Sequence, residues 1–228
     1  MVAIPGAGGT LGPFVARRLA AAGSTVALAG RDASRLARLA EELGDRADVE
    51  AVDLLGEAAT RAWADRLASD HGRIDAVVHL VGGFRGGTPI EEAPAEDWDL
   101  LADLLVRTTQ NVTRAFTGHL LASGRGRFAI VSAGQAQAPA NTSAAYAAAK
   151  AAAEAWTLAL ADRFRGTGST ANIIVISAIV TPQMRSEQPD RSFATFVPAE
   201  DIAEAIAYLV SDAASTMSGQ RLTLRGAA

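Results

Sequence analysis

The chain has 228 residues, 49% of them hydrophobic and 20% charged, with no cysteine and a formal net charge of −4. That balance describes a globular chain with a substantial core. It excludes disulfides and thiolate metal sites, and it gives no electrostatic case for a nucleic-acid partner.

His71, His79 and His119 lack ligand spacing, so no metal is expected. No apolar run reaches bilayer-spanning length, and the N-terminus enters a strand directly with no room for a leader, so the reading is a cytoplasmic protein without a membrane partner. Val2–Ile4 reads as a short strand. It runs into the loop Pro5–Pro13, with Gly6, Gly8, Gly9 and Gly12, and then into a helix from Phe14 to Ala22. A glycine loop between strand and helix lets the backbone approach a pyrophosphate and offers it free N–H groups at the helix start. Pro13 suits the first helical turn, where its missing N–H has no partner. Ser24–Ala29 is a second strand. An acidic residue at its end would bind ribose hydroxyls, but Gly30 stands there, followed by Arg31, whose guanidinium suits the extra phosphate of NADP. Asp32 reads as the N-cap of a helix over Ala33–Leu43.

Val49–Val52 is a third strand ending at Asp53-Leu54, and residues 57–70 form a helix. Ile74–Val81 is a nearly all-apolar fourth strand, as a central parallel strand should be. It ends in the glycine-rich loop Gly82–Gly87. Pro94–Ala122 is helical, with Trp98, Leu101, Leu105 and Val112 on or near one stripe. Arg127–Val131 is a fifth strand ending at Ser132-Ala133-Gly134. The alanine-rich helix Ala144–Arg165 carries Tyr146 and Lys150, four residues apart and so one turn apart on one face. An ammonium beside a phenol favours phenolate, lowers the tyrosine pKa and makes it a usable acid/base. Thr170–Ser177 is a sixth strand. Thr181–Val197 is irregular and long enough for a substrate loop. A helix over Glu200–Ser211 and a strand over Gln220–Leu224 close the chain. Strand and helix alternate without a linker, which argues one doubly wound α/β domain with a parallel sheet.

In this order, the glycine loop, Asp53, the glycine-ended fourth strand, a serine after the fifth, Tyr146-x-x-x-Lys150, Thr181 and Ser218-Gly219-Gln220 resemble a short-chain dehydrogenase/reductase over nearly the full length. The resemblance implies a Rossmann-type fold of three α/β/α layers, with residues 1–228 as one NAD(P)-binding domain. It implies hydride transfer between nicotinamide and a small carbonyl or alcohol substrate. Tyr146 would be the acid/base; Lys150 would bind the nicotinamide ribose and lower the tyrosine pKa; a serine would position the substrate oxygen. Gly6, Gly9, Thr10, Leu11, Gly12, Arg31, Asp53, Leu54, Val81, Gly82 and Thr181 would complete the cofactor site, with NADP(H) preferred. A homodimer or homotetramer built on the Trp98 and Tyr146 helices is implied as well.

The departures matter equally. The usual threonine before the first glycine is Pro5, and the glycines fall at Gly6-x-x-Gly9-x-x-Gly12. The usual Asn-Asn-Ala-Gly is His79-Leu80-Val81-Gly82, and the relay asparagine falls at Leu105. The commonest serine spacing lands on Ala133, which leaves Ser132, one residue earlier, or more remotely Ser143. On a strand, Ser132 would point to the opposite face from Ala133. Two readings stand: an NADP-dependent oxidoreductase using Tyr146, Lys150 and Ser132, or a cofactor-binding protein with little activity and a sensing role.

Overall fold

The computed structural model describes residues 1–226, so the last two residues of the expected 1–228 domain lie outside the described residues. The strands are Val2–Pro5 (β1), Val26–Gly30 (β2), Ala47–Ala51 (β3), Ala76–His79 (β4), Arg127–Ala133 (β5), Thr170–Ile176 (β6), the short pair Ile179–Val180 (β7) and Val197–Pro198 (β8), and Arg221–Thr223 (β9). The helices are Gly12–Ala21 (α1), Ala33–Leu43 (α2), Glu57–His71 (α3), Ala95–Leu101 (α4), Thr108–Ala122 (α5), Ala144–Arg163 (α6), Pro182–Glu187 (α7) and Ala199–Leu209 (α8). β1, β4 and β6 are buried at every position. Strands covered on both faces cannot alternate polar and apolar residues, which explains their continuous hydrophobic runs.

Seven strands form one parallel sheet in the order β3-β2-β1-β4-β5-β6-β9. Helices α1, α2 and α8 pack one face through Val15, Leu19, Leu36, Ile202 and Ile206. Helices α3, α5 and α6 pack the other through Trp63, Phe116 and Phe164. This is the doubly wound, three-layered Rossmann-type fold. Strand order reverses between β1 and β4, and a crevice opens there beyond the carboxyl ends of the strands. Among the described residues no helix is long and apolar enough to cross a membrane.

Two expectations shift for physical reasons. The fourth strand stops at His79 instead of Val81, because the chain there meets the glycine loop. Leu80 N–H still donates to the Pro5 carbonyl at 2.8 Å. Gly6, at φ +87°, then lies so close that a Cβ on it would sit 2.6 Å from the Val81 nitrogen. The helix expected over 94–122 is continuous but contains a π-helical segment over Ala102–Arg107. The stripe is incomplete: Leu101, Leu105 and Val112 are buried while Trp98, in the α-helical turn before the π segment, is 44% exposed. The 181–197 segment is more ordered than expected, holding α7 and the first residue of β8, which pairs with β7 just before the segment.

Gly12 is the tightest point of the nucleotide loop, since a Cβ there would fall on the Ala7 carbonyl group. Gly12→Ala is expected to destabilise the fold by about 2–3 kcal/mol in urea titrations through overpacking against backbone. Gly9→Ala, whose Cβ would meet only the Gly6 carbonyl at 3.3 Å, is expected to cost less than half of that.

Candidate active site

The crevice has two compartments that meet at Gly9, Leu80, Val81 and Gly82. The first, of about 270 Å³, lies between the glycine loop and the ends of β2 and β3, and Arg31, Asp53 and Leu54 line it. The loop is folded by its own backbone: Gly6 and Ala7 N–H both donate to the Ala29 carbonyl, and Gly9 N–H to the Gly6 carbonyl. Asp32 caps α2 as the sequence indicates. Its carboxylate accepts from Arg35 N–H at 3.1 Å and from the Ser34 hydroxyl at 2.7 Å. These bonds hold its pKa below the usual carboxylate range. Asp53 accepts from Leu55 N–H. Behind it, Asn111 donates to the Leu54 and Leu55 carbonyls at 3.0 Å, which fixes the wall of the compartment and accounts for that buried asparagine.

The second compartment, of about 660 Å³, holds Thr10, Leu11, Ser132, Gln135, Tyr146 and Lys150. Tyr146 and Lys150 share the face of α6 turned to β5, with the ammonium 5.8 Å from the tyrosine ring centroid. Lys150 is 8% exposed, and its Nζ donates to the Val131 carbonyl at 2.8 Å. Burial pulls its pKa down to about 8, partly opposed by the charge of Glu154. The tyrosine behaves differently from the expectation. Burial pushes the Tyr146 phenol above its ordinary value, with no lowering by the lysine. Loss of water around the phenol favours its neutral form. Phe84 lies edge-on to Tyr146, 5.0 Å between ring centroids, and shields it further.

Ser132 lies within β5, which runs on through Ala133, so no loop shift brings it round. Its hydroxyl donates to Glu154 Oε1 at 2.5 Å. Glu154 is the next residue down the α6 stripe, buried to 1% exposure, and it also receives Gln137 Nε2 and Arg221 Nε. Ser143 is buried outside the crevice with its hydroxyl toward the Ala140 carbonyl. Thr181 caps α7, its Oγ1 accepting from Met184 N–H at 3.2 Å, and it lines neither compartment. Gly12 also stays behind the walls, where it serves loop packing.

Sequence reading missed Gln135, Glu154 and Arg191. Gln135 lines the second compartment two residues beyond Ala133. A polar residue near the end of β5 was its only signal. Glu154 had one, a carboxylate at the third step of the Tyr146–Lys150 spacing. Leu105, where the relay asparagine was expected, packs with Leu101, Ala149 and Tyr146, and its carbonyl accepts from Thr109 Oγ1 at 2.7 Å. His79, in place of the first asparagine of the family motif, is fully buried. Thr108 Oγ1 donates to the Leu104 carbonyl, so it accepts from His79 Nε2–H at 3.1 Å. The tautomer follows from that chain of bonds, and Nδ1 has no partner among the described residues. Burial and the nearby Lys150 charge push the His79 pKa down to about 3.

The crevice can accept a dinucleotide. Its loop leaves no room for side chains at Gly6 and Gly12, one compartment presents Arg31 and an apolar wall of Val52, Leu54 and Leu104, and the other presents a phenol beside an ammonium. A sequence family described as enoyl-(acyl carrier protein) reductase matches residues 6–226. A short-chain type dehydrogenase/reductase from Mycobacterium ulcerans is 27% identical and superimposes with a TM-score of 0.90, over 99% of this chain and 90% of that one. A 3-ketoacyl-(acyl-carrier-protein) reductase from Brucella melitensis complexed with NADH, 27% identical, gives 0.88 over 99% and 96%. A gluconate 5-dehydrogenase from Burkholderia cenocepacia in complex with NADP and tartrate, 26% identical, gives 0.87 over 99% and 93%.

His79 makes a pH prediction. Its folded pKa lies below the ordinary 6.5, so the unfolded chain takes up a proton that the folded chain refuses. Stability is therefore full above about pH 6.5 and falls as the pH drops toward 3, by about 1.4 kcal/mol per pH unit. Between pH 7.5 and 5 the wild type should lose about 2 kcal/mol from this group. His79→Asn should remove that part of the slope, read from urea unfolding at the two pH values.

Proposed function

The chain belongs to the short-chain dehydrogenase/reductase family and is an oxidoreductase of that family; from that premise we propose that it is an NADP(H)-preferring enzyme interconverting a small carbonyl compound and its alcohol. The observation that carries the reading is the Tyr146–Lys150 pair facing the same crevice as a glycine loop shaped for a dinucleotide. When bound, the nicotinamide cofactor supplies the hydride for reduction and receives it in the reverse direction.

Tyr146 gives its hydroxyl proton to the substrate oxygen as the carbonyl becomes an alcohol. A phenol kept protonated by burial suits that donor role. Lys150 supplies positive charge beside it and keeps N–H donors free for ribose hydroxyls. Ser132 would have to release Glu154 before it could donate to a substrate. Gln135 lines the compartment just beyond β5 and makes no side-chain hydrogen bond to another described residue, as is also true of Thr10 on the glycine loop, and we assign Gln135 the positioning of the substrate oxygen that the missing serine would have done. Gly6, Gly9, Thr10, Leu11, Val81 and Gly82 form the phosphate and nicotinamide walls, and Asp53 and Leu54 the adenine wall, in this reading.

The cofactor preference rests on charge. No acid stands at the end of β2, Asp32 is turned to its own helix, and Arg31 faces the compartment with Arg35 behind it, Nη1 3.4 Å from the Gly8 carbonyl. A ribose 2′-phosphate would meet the Arg31 guanidinium there, while the neighbouring Asp32 is already paired with Arg35 at 3.2 Å. A homodimer or homotetramer would cover the exposed Trp98.

NADPH at about 100 times its Kd should stabilise the protein by about 2.7 kcal/mol in thermal unfolding. Arg31→Ala should weaken NADPH about 10- to 100-fold and leave NADH nearly unchanged, since it removes one charge-assisted bond to the extra phosphate. Equal affinity for both nucleotides in the wild type would refute the preference. Tyr146→Phe should keep NADPH binding and lower kcat for carbonyl reduction at least about 100-fold. Wild-type reduction should decline above pH 8, where Lys150 loses its proton.

A further inference from the structure

The substrate end of the crevice contains an arginine that the reaction as described does not use. Arg191 lines the second compartment, opposite the glycine loop, from the segment between α7 and β8. Lys150 and Arg191 are the charged residues of that compartment, and no aspartate or glutamate lines it. Arg191 also has no ion-pair partner among the described residues, although most arginines of this chain do.

Its guanidinium is nevertheless fixed. It lies 5.3 Å from the Phe193 ring centroid and 5.2 Å from that of Phe196, and Nη1 donates to Gln188 Oε1 at 2.8 Å. Phe193 and Phe196 are themselves packed edge to face at 5.3 Å, and Phe193 is buried. Stacking on aromatic rings orients a guanidinium without neutralising it, and its remaining N–H groups stay free for a planar anion. Arg185 adds a second cation 5.6 Å from the same Phe193 ring, likewise without an ion pair among the described residues. The rest of the nearby wall is apolar, with Phe84, Ile179 and Met184. A cation held at the rim of a compartment that no carboxylate lines is a recognition group for negative charge.

We propose that the substrate is a small carbonyl or alcohol compound bearing a carboxylate or a similar anionic group, and that Arg191 binds that group. The inference rests on the oxidoreductase reading and narrows its substrate class. Arg191 sets specificity and takes no part in proton transfer. The compartment's volume of about 660 Å³ must accept the nicotinamide end of the cofactor as well, which restricts the substrate to a small molecule.

The test uses acid and ester pairs that differ only in the charge: glyoxylate, succinic semialdehyde and 4-formylbenzoate, each against its methyl ester, with NADPH. At least one acid should exceed its ester about tenfold or more in kcat/KM, with the difference in KM, as one charge-assisted hydrogen bond provides. In Arg191→Gln that preference should collapse to within about twofold, while Arg191→Lys keeps part of it. The NADPH Kd of Arg191→Gln should stay within about twofold of wild type, which also reports a folded protein. Acids and esters reduced alike by the wild type, or a preference unchanged in Arg191→Gln, would overturn the proposal. A large loss of NADPH binding in Arg191→Gln would overturn it too, by assigning the arginine to the cofactor. If no carbonyl is reduced, the oxidoreductase reading fails by itself, and calorimetry of succinate with the NADP-bound protein decides the anion site: binding lost in Arg191→Gln upholds it, and no binding in the wild type removes it.

Discussion

Two opposite charges, Lys150 and Glu154, lie buried one helical turn apart on α6, and the arrangement of the reaction compartment depends on keeping both of them satisfied. Removing ionised groups from water costs several kcal/mol each unless hydrogen bonds replace the hydration. Lys150 recovers part of that through the Val131 carbonyl, and Glu154 through Ser132, Gln137 and Arg221. Those partners come from β5, the turn after it and the last strand β9. The carboxylate thus ties the sheet edge to the helix that carries Tyr146. It also opposes the effect of burial on its neighbour, so Lys150 settles near 8 instead of lower. A lysine poised there is still a cation at neutral pH, which a purely apolar surrounding would not allow.

The same network explains why Ser132 cannot be read as a simple displaced copy of the family serine. Strand alternation turns its hydroxyl to α6, where a carboxylate already needs a donor. One position along, Ala133 offers no hydroxyl at all. In the proposed reaction Tyr146 is the proton donor, and a second contact to the substrate oxygen would come from elsewhere. Gln135, on the turn that follows β5, has an amide free to donate.

Much of this was legible in the sequence, for identifiable reasons. The glycine loop, the Asp32 cap and the Tyr146–Lys150 stripe are local patterns, set by residues within one or two turns of each other, and local patterns survive folding. The continuous apolar strands fixed the parallel sheet for the same reason. What could not be read was set by distance. Glu154 meets Arg221 67 residues away and Gln137 17 residues away, and no spacing rule connects them. The π-helical segment over Ala102–Arg107 arises without any proline or glycine to announce it. The direction of the Tyr146 pKa differs from the expectation because sequence spacing shows that a lysine is near but not how far the fold removes the phenol from water.

Charge is distributed in a way that the net value conceals. The protein carries a formal charge of −4, yet the crevice that crosses the carboxyl end of its sheet has a cation at each end: Arg31 in the first compartment, Lys150 and Arg191 in the second. The acids that do border the first compartment are engaged. Asp32 faces Ser34 and the start of α2, and Asp53 accepts from Leu55 N–H. In a cleft with low-dielectric walls such cations would act on a negative ligand more strongly than they would in open solvent. A dinucleotide phosphate group and an anionic substrate would then share a single electrostatic design, with the two cationic ends spaced by the glycine loop that keeps the phosphates between them.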